Sequence, residues 1–127
     1  MRKPIQTDKA PKPRGPYTPA IVASGPTLYI SSQGPIDPAT NQPRGGTFAD
    51  QADQVFRNLT TLLEAAGTDW SQVVKVTVFL ADFANFAQMN EVYLNYVQEP
   101  YPARTTVHSR IGQSEVAAEC IALVPEG

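Results

Sequence analysis

The sequence predicts an α+β fold in the order β-β-α-β-α-β-β, with one sheet carrying two helices on one face. Three observations predict it. Nine of the twelve prolines fall between Pro4 and Pro43 and none lies between Arg44 and Glu99, so helical segments, which exclude interior proline, belong in the middle. Two stretches of that proline-free region repeat their apolar residues every three to four positions. The remaining apolar segments alternate with a period of two or are short and bounded by turn residues. At 127 residues, with 42% hydrophobic and 17% charged, the chain suits one domain spanning 1–127 and is too apolar to be a disordered polymer.

In chain order, residues 1–14 hold five of the ten basic residues (Arg2, Lys3, Lys9, Lys12, Arg14) among prolines and read as a solvated terminal arm. Residues 20–24 and 28–32 read as two short strands with a hairpin signal at Gly25-Pro26. Asp37-Pro38 and Gly45-Gly46 punctuate the loop that follows. Ala52, Val55, Phe56, Leu59, Leu62, Leu63 and Ala66 form one helical stripe, with Thr47 or Asp50 to cap its start and Gly67 to stop it. Residues 73–80 form a strand whose Val74, Val76, Val78 and Leu80 share one apolar face. A second helix is expected over about 83–98, capped by Asp82, with Phe86, Met89, Tyr93 and Val97 on its stripe. Strands at about 103–111 and 116–124 complete the chain. The last is apolar on both sides except at Glu119. Such a strand requires both its faces covered, and with no further helix to supply, the expected cover is a second copy of the chain.

Charge and cysteine content narrow the function. Ten Lys+Arg against twelve Asp+Glu give −2 at pH 7, which argues against a nucleic-acid partner. The one cysteine, Cys120, forms no internal disulfide, and no Cys/His spacing suits a metal. No apolar run approaches the ~18 residues of a membrane span, and the Met1 end lacks the apolar core of a signal peptide. The expectation is a cytoplasmic protein without metal or cofactor and without a membrane partner.

The most informative stretch is 103–111. Alternation puts Arg104, Thr106, His108 and Arg110 on one side of a strand. Two guanidiniums, a hydroxyl and the only histidine in one row form an anion-attracting stripe, since Arg holds a carboxylate through two parallel bonds. A solvent-facing edge strand would have the same pattern. Asn90 interrupts the apolar stripe of the second helix, and a buried amide requires a specific partner. Glu119 inside an apolar strand requires an ion-pair partner or a raised pKa.

Gly15-Pro-Tyr17, Tyr29-Ile-Ser-Ser-Gln33, Glu64-Ala-Ala-Gly67, Val74-Lys-Val-Thr-Val-Phe79, Met89-Asn-Glu-Val-Tyr93 and Tyr101-Pro-Ala-Arg104 occur in an order and spacing that resemble the RidA/YjgF family of enamine/imine deaminases. The resemblance covers about residues 10–124. It implies a chorismate-mutase-like subunit, a homotrimer with clefts between subunits, and hydrolysis of 2-aminoacrylate-type 2-imino acids to 2-keto acids and ammonia. It further implies that Arg104 binds the substrate carboxylate, with Tyr17, Ser31, Asn90 and Thr106 lining or supporting the cleft. The position of the family's water-activating glutamate is Ala117 here, and the family's usual cysteine is Thr106. Glu119, or else His108, is left to orient water. The substitution at Ala117 also implies an alternative, a carboxylate-binding or regulatory relative without turnover.

Overall fold

The computed structural model describes residues 1–126. The α+β class holds: two α-helices, α1 (Phe48–Ala65) and α2 (Phe86–Tyr93), pack against a four-stranded mixed sheet. The strands are β1 (Arg2–Ile5), β2 (Ala20–Ala23), β3 (Thr27–Gln33), β4 (Ile36–Asp37), β5 (Gln42–Pro43), β6 (Val73–Leu80), β7 (Ala103–His108) and β8 (Val116–Leu123). The main sheet runs β3-β8-β6-β7, antiparallel except for the parallel pair β6–β7, which α2 connects. Parallel neighbours need such a crossover, because a tight turn cannot reverse the chain twice. The edge strands are therefore β3 and β7.

Helix α1 starts on a complete capping box. The Thr47 side chain accepts from the Asp50 N–H while the Asp50 carboxylate accepts from the Thr47 N–H, so both residues offered as caps act, each on the other. Its end is a Schellman closure: Gly67, at φ +82°, donates to Glu64 O, and Thr68 donates to Leu63 O. Ala52, Val55, Phe56, Leu59 and Leu63 are fully buried against β8 and β3, but Leu62 is 40% exposed and stands outside the stripe. On the opposite side Gln54 donates to Asn58, whose amide donates to the carbonyls of Gly34 and Ile36 and so pins the turn after β3.

The core lies between the helices and the inner face of the sheet: Val76, Val78, Leu80, Ala118, Cys120 and Ala122 meet Phe56, Leu59, Met89 and Tyr93. Burial pushes the Cys120 thiol up to about 12, which keeps it a protonated packing group. The outer face carries Tyr29, Lys75, Thr77, Phe79, Val107, Glu119 and Ile121, and no helix among the described residues covers it.

Four expectations are corrected. Strands β2 and β3 do not form a hairpin: Gly25 takes φ +123°, Ser24 donates to Met1 O, and β2 pairs with β1 instead. Two two-stranded ribbons, β1–β2 and β4–β5, thus stand beside the main sheet. The amino-terminal arm accordingly begins as a strand, tied down by Arg2, which donates to Val73 O (2.8 Å) and Pro100 O (2.9 Å). The second helix is shorter than expected. Asp82 accepts from Ala84, two residues on, which winds residues 83–85 into a 3₁₀ turn. Finally, β7 ends at His108, so Arg110 leaves the stripe and pairs with Glu115 at 3.1 Å.

Replacing Thr47 with Ala removes one half of the capping box and should lower the unfolding free energy by about 1 kcal/mol. Thr47→Ser should restore it, and urea denaturation of the three proteins measures both.

Candidate functional site

Arg104 is the second residue of β7. It points to the helix side of the sheet, where α2 presents Phe86, Asn90 and Tyr93 on successive turns. Asn90 Oδ1 accepts from Arg104 Nη1 at 2.7 Å. The guanidinium carbon lies 5.0 Å from the Tyr93 ring centre and 5.7 Å from that of Phe86, both within cation–π range. The sequence-level question about Asn90 is thereby answered: its partner is the arginine. The aromatic bed was missed because Phe86 and Tyr93 read as ordinary core positions; the polar interruption at Asn90 was the visible signal.

The other side of the guanidinium is open to a loop. A Cβ built on Gly15 would stand 3.7 Å from Arg104 Nη2 and equally far from the Tyr17 ring. Gly15 and Tyr17 also line a cleft of about 570 Å³ whose remaining wall includes Pro13, Thr18, Pro100 and Tyr101. Burial lowers the pKa of Arg104 from its ordinary value, with Tyr93 and Tyr17 acting in the opposite direction. No Asp or Glu among the described residues forms a salt bridge with Arg104. A half-buried cation with one donor on a neutral amide and no anion is an incomplete arrangement, and a carboxylate completes it.

Thr106 follows on the same side of β7, and its hydroxyl is buried without a partner in the chain, as is that of Tyr93. His108 lies at the end of the strand, where its ring stacks on Phe83 (5.4 Å between centres) and Nε2 meets Ala81 O at 3.1 Å. That contact occupies the group named as a second choice for orienting water.

Other predicted residues are not brought to this cleft by a single chain. Ser31 is exposed on β3, beside a register shift, at the opposite edge of the sheet. Three strand spacings separate β3 from β7, about 14 Å. Glu119 opposes Thr77 on the outer face, whereas Arg104 faces the helices. Ala117 opposes Phe79 on the same outer face and is 1% exposed. So Arg104, Asn90 and Tyr17 gather with Thr106 nearby, while Ser31 and Glu119 stand elsewhere. No group of three or more His, Cys, Asp and Glu suited to a metal ion occurs among the described residues, and no helix among them is long and apolar enough to cross a membrane.

Comparison with known proteins identifies the family. The family model described as endoribonuclease L-PSP matches residues 7–124. A RutC family protein of Pyrococcus horikoshii is 50% identical over 107 residues, covering 84% of each chain. The 2-iminobutanoate/2-iminopropanoate deaminase of Bos taurus is 45% identical over 104 residues, 82% of this chain and 75% of that protein. Among solved structures, RidA from an Antarctic Psychrobacter superposes with a TM-score of 0.74 at 44% identity, covering 96% of this chain and 99% of that one. A fold of this order and a family match across 7–124 lead to one conclusion: the chain belongs to the endoribonuclease L-PSP family, also called YjgF/RidA.

Proposed function

We propose that this protein hydrolyses small 2-imino acids and their enamine tautomers to 2-keto acids and ammonia. The observation that carries the reading is Arg104, oriented by Asn90 and two aromatic rings and without a salt bridge among the described residues. Relatives at 42–45% identity named 2-iminobutanoate/2-iminopropanoate deaminase support it.

The reaction asks for little machinery. The substrate carboxylate pairs with the free N–H groups along one edge of the Arg104 fork, which fixes the molecule against Tyr17. Protonation of the imine nitrogen makes the adjacent carbon electrophilic. Water adds there, forming the C–O bond and giving up a proton. The carbinolamine then expels ammonia as the C–N bond breaks and the carbonyl forms. Each tenfold of rate needs only about 1.4 kcal/mol, so orientation with one proton acceptor suffices and the reading requires no cofactor. Thr106, two residues along the same side of β7, is offered as a further hydrogen-bond donor to the bound acid, for which its hydroxyl, shielded from solvent in the lone chain, has to be uncovered.

The proton acceptor is assigned to Glu119, delivered by a neighbouring copy. Within one chain Glu119 and Ser31 are separated from Arg104 by sheet face and sheet width. They join the cleft only if the outer face and β3 edge of one subunit meet the β7 edge of the next. A closed ring of three such contacts is the trimer of this reading, and it also covers Tyr29, which is 74% exposed in the lone chain.

A second reading rests on Ala117. That position holds a buried methyl group rather than a carboxylate, and a cleft that binds a 2-keto acid without activating water would be a sensor or regulator. The two readings share Arg104 and differ in turnover.

Release of 2-keto acid from dehydratase-generated imine, measured against the spontaneous rate, is the test. Acceleration by the wild-type protein and a loss of about a hundredfold in Arg104→Ala, ~2.7 kcal/mol, are expected. Arg104-dependent binding of 2-ketobutanoate with no acceleration would establish the second reading instead. A companion prediction concerns stability. Arg104→Met leaves the Asn90 carbonyl without its donor and removes the cation from the Phe86 and Tyr93 rings. The variant should therefore be less stable than wild type by about 1–3 kcal/mol, unfolding at a lower temperature, while losing ligand binding. Paired thermal melts and calorimetric titrations check it.

A further inference from the structure

Residues 99–101 line one wall of the cleft and lead through Pro102 into the strand that carries Arg104. Pro100 and Pro102 lack N–H groups, so this segment cannot brace itself through a regular ladder. Its carbonyls are instead taken one after another by donors from the amino-terminal region. Arg2 Nη2 donates to Pro100 O at 2.9 Å, the Thr18 hydroxyl donates to Tyr101 O, and the Thr18 N–H donates to Pro102 O at 3.1 Å. Thr18 is 4% exposed. It follows Tyr17 directly, and both line the cleft together with Tyr101.

We infer that Thr18 is a positioning residue for the Arg104 cleft. By holding the Tyr101 and Pro102 carbonyls with its hydroxyl and its amide, it fixes the Gly15–Tyr17 wall at a set distance from the arginine strand. The inference rests on the carboxylate reading of the cleft. Neither element holds this spacing by itself. The Gly15–Tyr17 turn has one internal backbone bond, from Tyr17 N to Gly15 O, and Tyr17 OH accepts from Arg14 N. Its hydrogen bonds to the 101–102 backbone both run through Thr18. Arg2 braces the same segment one residue earlier, but against Val73 of the sheet rather than against the cleft wall. Thr18 therefore sets the width of the opening beside Arg104 Nη2, and Arg2 sets where the segment sits on the sheet.

The chemistry of the bond dictates the variants. Thr18→Val keeps the shape and removes the hydroxyl donor, Thr18→Ala removes it together with the branch, and Thr18→Ser retains it. Two measurements read the outcome: affinity for 2-ketobutanoate by calorimetry, and the rate at which phenylglyoxal, an arginine-selective reagent, labels the Arg104 peptide. The expected result is a loss of about tenfold in affinity with severalfold faster Arg104 labelling in Thr18→Val and Thr18→Ala, wild-type behaviour in Thr18→Ser, and unchanged circular dichroism throughout. Wild-type affinity and labelling in both variants that lack the hydroxyl would overturn the inference. So would loss of folding in both, which would make the bond a structural one. If the wild-type protein binds no 2-keto acid, the carboxylate reading fails by that result, and the labelling rates still decide whether Thr18 positions Arg104.

Discussion

One half-buried positive charge organises this molecule. Arg104 sits where an edge strand meets a short helix, and it is kept charged and in place by a neutral amide and two ring faces rather than by a carboxylate. An acidic partner would have been the more favourable local solution for the fold. Its absence leaves donor capacity directed at the loop where Gly15 and Tyr17 come close. Gly15 belongs to the same arrangement, since any side chain there would add bulk beside both the guanidinium and the Tyr17 ring.

The two faces of the sheet differ in what covers them. Its inner face is closed by α1 and α2 around Phe56, Leu59 and Tyr93. Its outer face mixes Lys75, Thr77 and Glu119 with Phe79, Val107 and Ile121, a composition intermediate between core and surface. Interfaces between subunits have this mixed character. The same geometry separates Arg104 from Glu119, the residue proposed as proton acceptor, by the thickness of the sheet, so one chain alone does not bring the two together. The proposed trimer brings the two together by setting a subunit boundary at the cleft.

Much of this was legible in the residues. Helix α1 was marked by its period, by the Thr47–Asp50 pair and by Gly67, because each of these is a local signal acting within a few residues. The face carrying Arg104 and Thr106 followed from strand alternation alone. What could not be read was non-local. Nothing near Gly25-Pro26 tells β2 to choose β1 over β3, since that choice depends on Arg2 reaching Val73 and Pro100 far along the chain. Arg110 looked like part of the stripe until Glu115 claimed it across a turn. Phe86 and Tyr93 read as core because the stacking of a cation on a ring leaves no trace in hydropathy.

The parallel pairing of β6 with β7 has an energetic corollary. Since those strands are joined only through α2, the amide of Asn90 and the fork of Arg104 face each other only after the whole crossover has docked. An unfolded chain has no such pair and hence no grip on an anion. Under the reading proposed above, a carboxylate ligand would bind the native state alone, and by mass action its concentration would raise the melting temperature of the entire domain rather than merely fill a crevice.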